Sequence, residues 1–245
     1  MKKIKNFGLI GTILAVIAFS YGCFNYLKLK QEYNKVNKTY SSIIDDCIEE
    51  APQNVEEDNI EKFRVNWTEL KSVNQDAIAW IKIDDTNINY PIVQGVNNET
   101  YLKTDISGNY SKGGCLFVDC EIAKPFKTLN TIIYGHNLND GSMFNNLKKY
   151  SDEEFARSHR DIKIYLPEYS VGIVYEVFAF CKIHEDNIDF YKINVDNLET
   201  YYQEISKHNQ INIAENLDFS KPLIMLSTCT NENKKERYVV FASLK

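Results

Sequence analysis

Eight short apolar runs, separated by turn residues, occupy the last ~170 residues of this 245-residue chain. Each run has 6 to 12 residues and is rich in Ile, Val, Tyr and Phe, a composition typical of β-strands. Short strands in this number predict a mainly β fold, an eight-stranded closed or nearly closed barrel with helices inserted in its connections. The runs are AIAWIKI (77–83), INYPIV (88–93), GGCLFVD (113–119), NTIIYGH (130–136), DIKIYL (161–166), GIVYEVFAFCKI (172–183), PLIMLSTC (222–229) and RYVVFASL (237–244).

Two helices are predicted in the connections of this barrel. The first begins at Ser151, where Ser-Asp-Glu-Glu is a capping-box pattern. The second spans residues 197–207, with apolar residues on one face and an Asp196/Glu199 pair as its cap. It lies in a long connection, residues 186–221, and a connection of that length is typically functional or mobile.

The chain begins with a basic segment, residues 1–6, followed by an uncharged run of 21 residues, 7–27. At about 1.5 Å per residue, a helix of this length reaches ~30 Å, the thickness of a bilayer core. We expect a single uncleaved membrane anchor, with residues 1–6 as a cytoplasmic tail and the rest of the chain outside the cell membrane. A cleaved signal peptide is the main alternative. Lipidation at Cys23 is a lesser one, because Ser20 replaces the aliphatic residue of a lipoprotein signal.

The segment after the anchor, residues 28–59, is polar and charged, and we interpret it as a partly helical stalk. A compact helix is predicted next, because apolar residues that include Phe63 recur every three or four positions from Ile60 to Leu70. An Asp58/Glu61 capping pattern precedes this stretch. One catalytic domain, residues 60–245, is therefore expected to follow the stalk.

Charge and histidine spacing argue against several classes of partner. Three of the 28 Lys and Arg residues but none of the 34 acidic residues precede position 28, so the remaining chain has a formal charge of −9. Nucleic acid is therefore not an expected partner. The four histidines, at 136, 159, 184 and 208, never stand at the spacing of a metal-binding pair. We expect no metal and no cofactor.

Five cysteines lie beyond the predicted anchor, at positions 47, 115, 120, 181 and 229. An odd number leaves at least one without an intramolecular partner, so a free thiol is expected. Cys229 is the candidate, because it ends an apolar run directly before a polar loop, where a side chain is both held rigidly and reached by substrate. From this run alone, a buried structural cysteine is the alternative.

Two other polar residues stand at the ends of apolar runs. His136 ends one run, and by itself it would be taken for a surface or hydrogen-bonded residue. Arg237 opens the last run, eight residues after Cys229, in a chain with four arginines and 24 lysines. Its permanent charge and planar N–H donors suit an oxyanion, with a strand-start salt bridge as an equal alternative. Because the runs that flank the intervening loop should pair, Arg237 is predicted near Cys229.

These segments resemble those of a known enzyme family. LSTC (226–229) with Arg237 eight residues later, and YGHN (134–137), resemble the active-site segments of sortases. NQDAIAWIKI (74–83), TNINYPIVQ (86–94) and GGCLFVD (113–119) resemble the opening strands of class B sortases in particular. The resemblance covers about residues 60–245 and implies a sortase-like barrel preceded by a helical segment.

The resemblance also implies a membrane-anchored cysteine transpeptidase. Cys229 would be the nucleophile, His136 the acid and base, and Arg237 the oxyanion stabiliser. The substrates would be secreted proteins with a C-terminal sorting motif, of the Asn-Pro-x-Thr type or a related one, and an amine of the lipid-linked peptidoglycan precursor. Specificity would be set by residues 186–221.

Two other functions fit parts of the sequence. A secreted cysteine protease would use the same nucleophile and base. Papain-like enzymes, however, place Cys before His in the chain and complete the set with Asn or Asp, whereas here His136 comes first and an arginine completes it. The second alternative is a catalytically inactive surface-binding barrel in which Cys229 is structural.

Overall fold

A computed structural model describes residues 2–50, 63–187, 189–213, 217–230, 232–233 and 235–245. Its strands are β1 Ile48–Glu50, β2 Phe63–Val65, β3 Ala77–Lys82, β4 Asn89–Val93, β5 Leu116–Val118, β6 Asn130–Tyr134, β7 Asp161–Tyr165, β8 Ile173–His184, β9 Leu223–Cys229 and β10 Glu236–Leu244. Its helices are α1 Lys2–Cys47, α2 Trp67–Val73, α3 Glu153–Ser158 and α4 Leu198–His208, with 3₁₀ helices η1 Thr100–Leu102 and η2 Phe144–Ser151.

The eight predicted runs correspond to β3 to β10, which close into one barrel in the order β10-β8-β7-β3-β4-β5-β6-β9. Two neighbouring pairs, β4–β5 and β6–β9, are parallel, and the other six are antiparallel. A tight hairpin cannot join parallel neighbours. A connection that contains η1 separates β4 from β5, and two strands with three helices lie between β6 and β9. The predicted mainly β class and eight-stranded barrel are confirmed.

The parallel pairing of β6 with β9 determines which end of the barrel carries the chemistry. Tyr134 of β6 is in register with Ser227 of β9, so the two strands end side by side. On the other side of β9, Cys229 is in register with Arg237 of β10. The six residues of β9 before Cys229 are all buried, because the strand is covered on both faces. This explains why it appears in the sequence as a nearly continuous apolar run.

Both inserted helices are present, but each cap lies one residue later than predicted. Asp152, not Ser151, caps α3, and Asn197, not Asp196, caps α4. Each capping side chain accepts a hydrogen bond from the backbone N–H three residues on, at 2.9 Å. A cap needs extended backbone, which Asp152 has, whereas Ser151 still belongs to the turn of η2. The predicted apolar face of α4 is buried, as expected.

The helix predicted from Ile60 to Leu70 is only partly correct. Residues 58–62 lie outside the described residues, and Phe63 belongs to β2, which pairs antiparallel with β1. The helix itself begins at Trp67. The side chain of Asn66 caps it by accepting a hydrogen bond from the backbone N–H of Glu69 at 3.1 Å. The Phe63 ring packs against Tyr165 of the barrel, with 4.6 Å between ring centroids. This packing favours the strand over the local helical spacing.

Helix α1 extends without a break through the predicted anchor to Cys47. Its side chains from residue 10 to residue 28 are exposed. Of the described residues, this is the one helix long and apolar enough to cross a membrane. Near its other end a stripe at helical spacing is buried against the barrel, formed by Val36, Tyr40, Ile43 and Cys47. Helix α1 therefore contains the exposed apolar run and also packs against the barrel.

Gly114 occupies a position that no other residue fits. Its φ is +55°, and a Cβ atom there would lie 2.2 Å from the carbonyl oxygen of Tyr101 and 3.0 Å from that of Leu102. The close approach allows the backbone N–H of Cys115 to donate to the Tyr101 carbonyl at 2.9 Å. The segment before β5 is thus packed tightly against η1.

Gly114→Ala should lower the free energy of unfolding by about 3 kcal/mol, because the new methyl group collides with backbone oxygens. Gly108→Ala is the matched control, since Gly108 also has a positive φ, +79°, but open space at its Cβ position. It should lose only about 1 kcal/mol, from backbone strain. Denaturant unfolding of the full chain in detergent micelles measures both, and equal losses would contradict the close contact.

Candidate active site

A cleft of about 460 Å³ opens at the end of the barrel where β6 and β9 finish and β10 begins. The three residues predicted from the sequence, His136, Cys229 and Arg237, all line it. The other lining residues come from the segment around η1, from strands β5, β6 and β9, and from the chain after β8. They are Asn98, Leu102, Phe117, Tyr134, Gly135, Glu185, Tyr191, Ser227 and Thr228.

Cys229 is the last residue of β9 and is partly exposed. Its carbonyl accepts a hydrogen bond from Asn137 Nδ2 at 2.9 Å, and Asn137 Oδ1 accepts one from Asn145 Nδ2 at 2.7 Å. The next residue, Thr230, donates its backbone N–H to the carbonyl of Glu236 at 3.0 Å. The backbone around the thiol is therefore fixed from two sides, by β10 and by the segment that follows the histidine.

His136 follows β6 by two residues, and the sheet pairing continues almost to it. The Gly135 N–H donates to the Ser227 carbonyl at 3.2 Å, and the Thr228 hydroxyl donates to the Gly135 carbonyl at 2.7 Å. A Cβ atom on Gly135 would lie 2.3 Å from Leu116 Cδ2 and 2.7 Å from Phe144 Cδ2, so a larger residue would have to displace these buried side chains. The backbone of the histidine is thus held beside the end of β9.

The ring of His136 is held by a hydrogen bond that determines its tautomer. Nε2 lies 2.7 Å from the carbonyl oxygen of Leu102. A carbonyl oxygen can only accept, so Nε2 carries the hydrogen of this bond, and in the neutral ring Nδ1 is then the acceptor nitrogen. The His136 carbonyl in turn accepts from the Phe144 N–H at 2.8 Å. Both the ring and the backbone of the residue therefore have fixed partners.

The guanidinium of Arg237 is held at the cleft by Glu185. Nη2 donates to Glu185 Oε2 at 2.5 Å, and Nη1 donates to the carbonyl of Glu236 at 3.1 Å. The two charged side chains are 20% and 37% exposed. The strand-start salt bridge considered for Arg237 from the sequence is therefore present, and the same side chain also lines the cleft. Glu185 was not predicted as a site residue, since its proximity to Arg237 depends on the pairing of β8 with β10.

Two tyrosines form a wall of the cleft, with the rings of Tyr134 and Tyr191 stacked at 6.2 Å between centroids. The Tyr134 hydroxyl donates to Asp119 Oδ2, and the Tyr191 hydroxyl lies 3.0 Å from Ser227 Oγ. Burial raises the pKa of both tyrosines, so each keeps its proton at neutral pH. Tyr191 was not predicted as a site residue. It belongs to the 186–221 connection, which therefore reaches the cleft.

Three of the four other cysteines outside the apolar run differ from Cys229 in burial. Cys47, Cys115 and Cys181 are buried, and burial raises the pKa of the first to about 11 and of the other two to about 12. Such groups remain thiols near neutral pH and are poor nucleophiles. All six cysteines are free. In the part of the chain that the structure describes, no group of three His, Cys, Asp or Glu side chains could hold a metal ion.

The family model, the related proteins and the solved structures that this chain resembles all point to one family. The family model of the sortase domain matches residues 81–245. Sortase B of Listeria monocytogenes serovar 1/2a is 31% identical over 242 residues, which are 96% of this chain and 95% of that protein. Sortase B of Staphylococcus aureus is 26% identical over 253 residues, covering 100% and 98%. The crystal structure of sortase B from B. anthracis has a TM-score of 0.72 and 28% identity, over 87% of this chain and 98% of that one.

Alkylation should distinguish the cysteines of the folded chain by their rates of reaction. With iodoacetamide near pH 8, Cys229 and the half-buried Cys120 should react well before Cys115 and Cys181. A thiol with a pKa of about 12 is ionised in only about one molecule in ten thousand at that pH, and burial excludes the reagent. Raising the pH or unfolding the chain should speed the slow sites. Peptide mapping by mass spectrometry measures each site, and early labelling of Cys115 would contradict this order.

Proposed function

The chain belongs to the sortase family of cysteine transpeptidases, with class B sortases as its relatives, and we propose that it attaches secreted proteins to the cell-wall peptidoglycan precursor. The observation that carries the proposal is the cleft in which a partly exposed cysteine, a histidine of fixed tautomer and an anchored guanidinium meet. The donor substrates would be secreted proteins with a C-terminal sorting motif.

In the proposed first half-reaction, Cys229 Sγ attacks the carbonyl carbon of a peptide bond in the sorting motif. The C–S bond forms, the C–N bond breaks, and a thioester remains on the enzyme. The thiol proton passes through His136 to the departing amine. Nδ1 is the nitrogen assigned to this transfer, because Nε2–H is bound to the Leu102 carbonyl.

Arg237 is proposed to stabilise the negative oxygen of the tetrahedral intermediates. Two observations support this role: Arg237 is in strand register with Cys229, and Glu185 holds its guanidinium at the cleft. A donor that is already oriented needs little reorganisation when charge develops, which is the main advantage of such groups. The ion pair with Glu185 therefore orients the catalytic group.

In the second half-reaction, an amine of the lipid-linked peptidoglycan precursor attacks the thioester. His136 Nδ1 accepts a proton from the amine, a new amide bond forms, and the Cys229 thiolate leaves and is reprotonated. One amide bond replaces another, so the overall exchange needs no nucleotide or redox cofactor. Attack by water on the same thioester would give hydrolysis.

Membrane anchoring would place both substrates at one surface. We assign residues 7–27 of α1 to a single membrane span, with residues 1–6 in the cytoplasm and residues 28–59 linking the span to a catalytic domain of residues 60–245. The exposed apolar surface of α1 supports this assignment, and so do the lysines that precede the run.

Amide formation should require both a sorting-motif peptide and a wall-peptide amine when the full chain is assayed in nanodiscs. A peptide panel that includes Asn-Pro-x-Thr sequences should yield the amide product, measured as a rate by chromatography and mass spectrometry. Cys229→Ala should abolish the product. Arg237→Lys should lower kcat by about 100-fold, because lysine keeps the charge but lacks the planar fork.

Arg160→Lys is the matched control, because Arg160 pairs with Glu176 at 3.2 Å, away from the cleft. It should retain activity within about twofold, as expected for a surface substitution. Cleavage of peptides without an amide product would support the protease alternative instead. Failure of every peptide in a chain whose Cys229 still alkylates would support the binding barrel.

The topology can be tested on intact protoplasts of cells that express the full chain. Protease added from outside should digest the catalytic domain and leave the apolar run with the membrane fraction, as detected by antibodies to each end. A catalytic domain that becomes sensitive only after lysis would contradict the proposed orientation. Its release into the medium by the cells themselves would indicate a cleaved signal peptide.

A further inference from the structure

The last turns of α1 contact the backbone segment at Gly114, which lies close to the active-site histidine. Tyr40 is buried, with 3% of its surface exposed. Its hydroxyl donates to the Gly114 carbonyl at 2.5 Å and lies 3.2 Å from Cys115 Sγ. A long-range hydrogen bond from a buried hydroxyl to a backbone carbonyl restrains that backbone in one position.

This segment packs directly on the residue that holds the ring of His136. Gly114 approaches the Leu102 carbonyl so closely that a Cβ atom would lie 3.0 Å from it, and the Cys115 N–H donates to the neighbouring Tyr101 carbonyl. The Leu102 carbonyl accepts the hydrogen bond from His136 Nε2. Tyr40 is therefore linked to the ring through two packed backbone segments.

A second set of contacts joins α1 to the backbone of His136. The Tyr40 ring packs edge-on against Tyr90, with 5.3 Å between centroids, and the Tyr90 hydroxyl accepts from the Met143 N–H at 3.1 Å. The next residue, Phe144, donates its N–H to the His136 carbonyl. Elsewhere on α1, Asn37 Nδ2 donates to Asp140 Oδ2 at 3.0 Å, in the same loop after the histidine.

We propose that α1 is a positioning element of the active site and that Tyr40 is the positioning residue for His136. Tyr40 holds the Leu102 carbonyl where it selects the Nε2–H tautomer, and this leaves Nδ1 for proton transfer. Because α1 also contains the apolar run, a path of direct contacts connects the proposed membrane span to the acid/base group. The inference rests on the proposed function only for the acid/base role of His136.

The test compares Tyr40→Phe with Tyr150→Phe in the full chain, labelled with ¹⁵N-histidine in detergent micelles. Tyr150 is a matched control, because it is fully buried and its hydroxyl donates to a backbone carbonyl, that of His159, at 2.8 Å. The ¹⁵N shifts of a neutral imidazole distinguish its tautomers. Loss of the signals in a His136→Asn variant assigns them to that residue.

Wild type should show the Nε2–H tautomer at His136, and Tyr40→Phe should shift it toward a mixture of tautomers. Tyr150→Phe should change at most the signals of His159. In the nanodisc assay, Tyr40→Phe should lower kcat about tenfold with KM unchanged within about twofold, as expected for a misplaced catalytic group with intact substrate binding. An unchanged His136 tautomer in a folded Tyr40→Phe chain would overturn the proposal, and so would an equal change in both variants.

If Tyr40→Phe does not fold, Asn37→Ala replaces it, because this residue lies on the surface of α1 and its side chain bonds to the loop after His136. It should move the His136 signals in the same direction by a smaller amount, and unchanged signals would overturn the proposal. A wild-type chain that forms no amide product would refute the proposed function, whereas the tautomer measurement would still decide the role of Tyr40.

Discussion

Strand β9 is hydrogen-bonded on both sides, parallel to β6 and antiparallel to β10, and the arrangement of the site depends on this pairing. The antiparallel register places Cys229 beside Arg237. The parallel register makes β6 and β9 end together, which brings His136 to the same cleft across 93 residues of chain. A closed barrel has no unpaired edge strand. Strand β9 is therefore hydrogen-bonded along both sides, and this pairing restrains its end.

Around these strand ends, each proposed catalytic residue has a polar partner, at the backbone of Cys229 and at the side chains of His136 and Arg237. Asn137 bonds to the carbonyl of Cys229, the Leu102 carbonyl bonds to the His136 ring, and Glu185 bonds to Arg237. An ion pair as accessible to solvent as Glu185–Arg237 contributes at most about 1 kcal/mol to stability. Its main consequence is therefore orientation, and the same applies to the other two contacts. A site on strand ends with such support keeps its geometry before substrate binds.

The strands could be predicted because their signals are local: β-branched and aromatic runs bounded by turn residues. The caps at Asp152 and Asn197 were each misplaced by one residue, since the sequence does not show where the backbone becomes extended. Phe63 was assigned to a helix because its spacing to Trp67 also fits one. Its pairing with β1 and its packing against the barrel favour a strand, and neither contact is visible in the local sequence.

Contacts between distant segments were harder to predict. The motifs identified His136, Cys229 and Arg237, but Glu185 required knowledge that β8 pairs with β10. The buried stripe on α1 stands at helical spacing and could have been found. It was missed because charged residues surround it, and the segment was interpreted as a stalk. Tyr40 therefore gave no functional signal until its contacts with Gly114 and Tyr90 were known.

In the proposed mechanism, Cys229 carries the acyl group between the two substrates. Intact-mass spectrometry of the full chain, rapidly quenched in acid after mixing with a reactive sorting-motif peptide and no amine, tests it most directly. We expect an adduct on Cys229 with the mass of the acyl part of the peptide, and hydroxylamine should remove it. When amine is added, the adduct should disappear while the amide product forms. Amide formation without any such adduct, or with the adduct on another residue, would contradict it.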